Sequence, residues 1–105
     1  MWADMPPTPV GVGEREWRIA LYRTHVPVGV VHLNARNFGE DGHDLSVRTA
    51  GGKVLKTLAE LKPGSTGTLR VRLRKPGRYV VFCSLAGHEA RGMRAVLRVR
   101  ARAKR

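Results

Sequence analysis

The sequence predicts an all-β domain, a sandwich or barrel of about seven or eight short strands. Short runs of strand-forming residues recur along the chain, and turn residues such as Gly51-Gly52, Lys62-Pro63-Gly64 and Lys75-Pro76-Gly77 separate them. Apolar and basic residues alternate in Leu69-Arg70-Val71-Arg72-Leu73-Arg74 and again in Leu97-Arg98-Val99-Arg100-Ala101-Arg102. A period of two is the pattern of a strand with one face in a core and the other in water. With 105 residues, 42% of them hydrophobic, the chain suits one domain with a real core.

Taken in order, Pro6, Pro7 and Pro9 mark residues 1–11 as an extended arm. Residues 12–105 form the single domain, with a basic C-terminal end at Lys104 and Arg105. Trp17 to Tyr22 reads as a strand with Trp17, Ile19 and Leu21 on one face. Gly29 to Ala35 is the next, ahead of a loop from Arg36 to Gly42, and His43 to Arg48 follows. Residues 53–61 are ambiguous, because Val54, Leu55, Leu58 and Leu61 keep a helical period and allow one short helix. Gly67 to Arg74, Arg78 to Cys83 and Arg94 to Arg102 complete the strands.

The net charge of +12 favours acidic partners. The arginine alternation is read first as a solvated sheet face. Nucleic acid is not expected, since the basic residues alternate with aliphatics, whereas single-strand binders need aromatic stacking platforms. A single cysteine excludes an intrachain disulfide. No run approaches the roughly 18 apolar residues of a membrane span. The opening Met1-Trp2-Ala3-Asp4-Met5 has neither the basic nor the apolar region of a signal peptide.

The chemistry concentrates in Cys83-Ser84-Leu85-Ala86-Gly87-His88-Glu89-Ala90-Arg91-Gly92-Met93, where a thiol, an imidazole and a thioether recur at five-residue intervals. Tyr79, Val81 and Cys83 share one face of their strand, so Cys83 projects inward from the end of a core strand. Gly87 and Gly92 allow the loop to bend His88 and Met93 back towards the sulfur. A thiolate, two imidazoles and a weak axial thioether suit an electron-transfer copper. His43, which would come from a neighbouring strand, is the candidate for the missing imidazole. Zinc competes for Cys and His, although a structural zinc site recruits further Cys or His rather than Met.

The run Pro76-Gly77-Arg78-Tyr79-Val80-Val81-Phe82-Cys83-Ser84-Leu85-Ala86-Gly87-His88 followed by Met93 resembles the cupredoxins, the small blue copper proteins. Asn37, Gly39 and His43-Asp44-Leu45 match the first half of that pattern, and the resemblance spans about residues 12 to 101. The ligand spacing is nearer the auracyanin and rusticyanin side of the family than plastocyanin. The resemblance implies a Greek-key β-sandwich holding one copper ion, with His43, Cys83 and His88 in the trigonal plane and Met93 axial. The Gly42 carbonyl is a candidate for a weak opposite axial contact. Asp44 stands where the family more often has asparagine, and a hydrogen bond to Ser84 would brace the two ligand loops.

The implied function is electron transfer between Cu(I) and Cu(II). Electrons would leave by the edge of His88 through a patch of Leu85, Ala86 and Ala90, with an outward Phe82 as a second exit. The partner expected is a redox protein with an acidic surface, met by a monomer. The alternative is a copper carrier or storage protein without a dedicated electron partner. An enzyme is not expected: a multicopper oxidase flanks this cysteine with histidines, and here the neighbours are Phe82 and Ser84. His25 and His32 are read as surface residues. The family works mostly outside the cytoplasm, which implies a periplasmic, cell-surface or secreted location with any leader or anchor lying outside this sequence.

Overall fold

The computed structural model describes residues 5–103. The first four residues of the expected arm and the basic pair Lys104 and Arg105 lie outside the described residues. Nine strands are described: β1 (Thr8–Arg15), β2 (Arg18–Leu21), β3 (His25–Pro27), β4 (Gly29–Asn37), β5 (His43–Thr49), β6 (Val54–Leu61), β7 (Thr66–Leu73), β8 (Gly77–Phe82) and β9 (Arg94–Arg100). They form a four-stranded sheet in the order β2-β1-β4-β7 and a five-stranded sheet in the order β3-β9-β8-β5-β6. The chain is therefore an all-β sandwich. Among the described residues, no helix is long and apolar enough to cross a membrane.

Period-two alternation builds the core from both sheets. Val31, Leu33 and Ala35 of β4 and Leu69, Val71 and Leu73 of β7 face inward and are buried, while Arg36, Arg70 and Arg72 are exposed. In β9, Leu97 and Val99 are buried and Arg98 and Arg100 exposed. The arginine alternation is thus a wetted sheet face in both places. β1 starts at Thr8 and runs parallel to β4, Thr8 opposite Val31 and Glu14 opposite Asn37, so the later part of the expected arm is the first half of a strand. The same alternation that buries Val10 and Val12 also carries Glu14 inward, fully buried.

Residues 53–61 correct the helical expectation, for Val54–Leu61 is the edge strand β6, antiparallel to β5. His43 faces Leu61, Leu45 faces Leu58, Val47 faces Lys56 and Arg48 faces Val54, so β6 carries extra residues at two points along the pairing. Such bulges break the period of two. They put Leu58 and Leu61, three residues apart, against the same core, which in sequence mimics a helical stripe. Val54 and Leu55 gain little burial, at 51% and 37% exposed. The strand is held by its ladder and by a hydrogen bond of 2.8 Å between the Ser46 and Thr57 hydroxyls.

Candidate metal centre

At one end of the sandwich β4 stops, β5 starts, and β8 passes into the loop that leads to β9. Asn37, fully buried, organises this end. Its side-chain amide donates to the carbonyls of Asp41 (2.7 Å) and Leu61 (3.0 Å), and its Oδ1 accepts from the Gly39 amide (2.8 Å). The loop into β5 is therefore fixed to β6, and His43 enters its strand with no side-chain exposure. Cys83 follows β8 on the inward face and is also fully buried. Its amide donates to the Met93 carbonyl (3.1 Å), and the Met93 amide donates to the His88 carbonyl (3.2 Å).

These constraints gather three donors. Nδ1 of His43 lies 3.2 Å from Nδ1 of His88, and Sγ of Cys83 lies 3.5 Å from the same His88 nitrogen. The candidate ligand atoms of His43, Cys83 and His88 all fall within 4.8 Å of one another. Two imidazole nitrogens each about 2.0 Å from one cation sit roughly 3 Å apart, so the spacing suits a shared ion, and one imidazole proton can bridge the same two nitrogens in its place. Met93, fully buried, ends the loop against both ligand-bearing segments. Burial, the largest influence, pushes the Cys83 thiol up to about 11. A soft cation displaces that proton, since metal ligation requires the thiolate.

Asp44 and Ser84 meet across the two ligand loops. The Ser84 amide donates to Asp44 Oδ1 (2.6 Å), and the Ser84 hydroxyl donates to Asp44 Oδ2. Gly42 sits against the Glu60 carboxylate, where a Cβ would clash. Ala86 and Ala90 are exposed, whereas Leu85 is half-buried and packs on the core. Phe82 lies on the outer face of its sheet, outside the core cluster, but is covered there, being only 7% exposed. The Arg48 guanidinium lies 4.3 Å from its ring centre, held there by two hydrogen bonds to Glu89. Arg48 in turn holds the Glu89 carboxyl below its usual range.

Two residues of the β1–β2 turn escape a reading of the sequence alone. Glu16 Oε2 lies 2.5 Å from Nε2 of His43, while its carboxylate accepts from the amides of Glu40 (2.8 Å) and Asp41 (3.1 Å). Hydrogen bonding, led by the Glu40 amide, lowers the Glu16 carboxyl to about 2. A Cβ on Gly39 would strike this carboxylate, so glycine there is a condition of the contact. Trp17 meets the His88 ring edge-on, with centres 5.0 Å apart, and Arg91 lies 4.5 Å over the indole. Gly92, at φ 123°, lets the Trp17 carbonyl approach to within 2.8 Å of where a Cβ would stand. In sequence, Trp17 is legible only as a core-facing strand residue.

A two-sheet sandwich with a thiol and two imidazoles converging at one end defines a cupredoxin. A family model described as multicopper oxidase matches residues 28–103, and the chain belongs to that family. No curated protein matches the sequence. Among solved structures, it is similar to the reduced auracyanin of Roseiflexus castenholzii, with 19% identity, coverage of 89% of this chain and 97% of that one, and a TM-score of 0.79. Auracyanin A of Chloroflexus aurantiacus, described as a "blue" copper protein, is 14% identical over 90% of this chain and 100% of its own, with a TM-score of 0.77. The copper nitrite reductase of Nitrosomonas europaea is 18% identical over 92% of this chain but only 42% of its own, with a TM-score of 0.70.

Proposed function

We propose that the protein is a single-copper electron carrier, with His43, Cys83 and His88 as the equatorial ligands and Met93 as the axial one. The observation that carries this reading is the convergence of two Nδ1 atoms and one Sγ in a buried pocket. Bound copper supplies reversible one-electron chemistry in such a donor set. The chain's own residues hold the geometry. Glu16 keeps the Nε2 side of His43 occupied, so that Nδ1 faces inward, and Asp44 ties the Cys83 loop to β5. Burial of His43, Cys83 and Met93 keeps water from the sulfur.

His88, half-buried, is the ligand nearest to solvent. Trp17, Ala86 and Ala90 surround its way out, and Arg91 and Arg94 are exposed beside it. That border suits a redox partner with an acidic surface, approached by a monomer. Electron transfer rather than catalysis is supported by Phe82 and Ser84, which flank Cys83 with no imidazole to pass electrons to a second metal. A place of work outside the cytoplasm accords with the auracyanin-like form.

Addition of Cu(II) to the metal-free protein tests the reading. An intense blue absorption that disappears in Cys83→Ser is the expected result. A colourless complex, or colour retained without the thiol, overturns it.

A further inference from the structure

The acidic residues of this molecule gather at one end of the sandwich, whereas basic residues occupy both ends. At the candidate metal end, Glu16 touches His43, Glu40 and Asp41 bond to Glu16, and Glu14 lies opposite Asn37. Asp44 follows His43, Glu60 abuts Gly42 and Glu89 follows His88. Apart from Asp4, which lies outside the described residues, this accounts for every acidic residue. The opposite end has none among the described residues. There the strand ends and turns carry Arg72, Arg74, Lys75 and Arg78, and β9 leads through Arg98 and Arg100 to Arg102.

The basic end is built at a cost that an isolated molecule would avoid. Arg78 stands directly opposite Arg98, with both side chains exposed. Like charges facing each other across strands are destabilising. A cleft of 760 Å³ is lined by Arg23, His25, Arg100 and Arg102. The Nε of Arg102 is buried without a hydrogen-bond partner among the described residues. The cluster is therefore unneutralised from within the described protein.

Nor can these cations serve a partner docked at His88. The six residues of β8 separate the ends by about 20 Å, more than two Debye lengths of roughly 8 Å at physiological ionic strength. We propose that the basic end binds an anionic lipid surface, leaving the metal end directed away from it. The cations are spread over both sheet faces and the end between them, and the exposed Tyr22 beside Arg23 lies back over Gly11 and Gly13 rather than among them. A planar field of headgroup charge fits that spread better than nucleic acid, which needs stacking platforms. The orientation has a purpose only for an electron carrier, and so rests on that reading, but the binding itself does not require copper.

Sedimentation of the full chain, copper-free and copper-loaded, with vesicles of phosphatidylcholine alone or mixed with phosphatidylglycerol tests this. Both forms are expected to bind only the mixed vesicles and to be released by high salt. Arg98→Glu with Arg100→Glu should weaken binding at least roughly tenfold. Folding is not at risk, because both side chains are exposed and the carboxylate introduced in place of Arg98 would face Arg78. Arg36→Glu with Lys62→Glu, an equal charge change at the metal end, should leave most of the binding intact. Equal weakening by both pairs, no binding to mixed vesicles at low salt, or retention of a single-stranded oligonucleotide at salt that frees the vesicles would overturn the proposal. Failure to turn blue with Cu(II) would instead sink the carrier reading and leave the vesicle result standing.

Discussion

Glu16 and His43 form a 2.5 Å pair in which the carboxylate holds the imidazole nitrogen that points away from the candidate metal position. Such a partner fixes the tautomer and ring orientation of a ligand. Glu16→Ala is expected to lower copper affinity by about 10–100-fold. Nitrogen NMR of the copper-free protein should show His43 losing its single tautomer. Glu16→Gln, which can still accept from Nε2, should keep the tautomer and much of the affinity. Loss of both in the Gln variant would mean that charge, not the hydrogen bond, does the positioning.

Asp44→Asn separates charge from geometry in the same way at the second brace. An asparagine can still accept from the Ser84 amide and pair with its hydroxyl. Removing the negative charge beside the site disfavours the more positive Cu(II). The reduction potential is expected to rise by an amount on the order of tens of mV. A redox titration that finds it unchanged or lower would show that this carboxylate does not set the potential.

Met93→Leu is volume-conserving in a buried position. The expected outcome is a protein that stays blue and has a raised potential, because a weak donor to Cu(II) is gone. A lowered potential in a voltammogram would remove Met93 from the ligand set.

Glu14 contributes a pH dependence of stability. Burial first, then the charge of Asp44, raises its carboxyl from 4.5 to about 8. Between those values the folded protein keeps a proton that the unfolded chain has released. Stability therefore falls as pH rises through that window and levels off above about 8. Glu14→Gln should flatten the fall and leave the variant more stable above pH 8, by an amount on the order of a few kcal/mol. Urea unfolding of the copper-free protein across this range is the measurement, and parallel curves would refute it.

Local periodicity made most of the sandwich legible in the sequence. Strands β4, β7, β8 and β9 alternate plainly, and turn residues separate them. The convergence of Cys83 and His88 was readable because one short loop carries both, and His43 because it starts a strand in the family pattern. Strand β6 was not readable, since bulges turn a period of two into spacings of three. Phe82 looked outward by alternation, but alternation does not say that Arg48 and Glu89 will cover the outer face. Glu16 and Trp17 stayed hidden because their roles come from side-chain contacts with residues 27 and 71 positions away. Nothing within their own strand distinguishes such residues from a polar turn and a core aromatic.

The reach of those contacts bears on how the protein is made. The β1–β2 turn supplies Glu16 and Trp17, whereas the loop after β8 supplies Cys83, His88 and Met93. A growing chain that has emerged only as far as β7 holds His43 without a thiol to share an ion with. Metal capture by this donor set therefore cannot begin on a chain made only that far, and the site is complete only once β8 and the loop after it have joined the sandwich. Closing the sandwich also encloses the thiol, so that Cys83 ends fully buried.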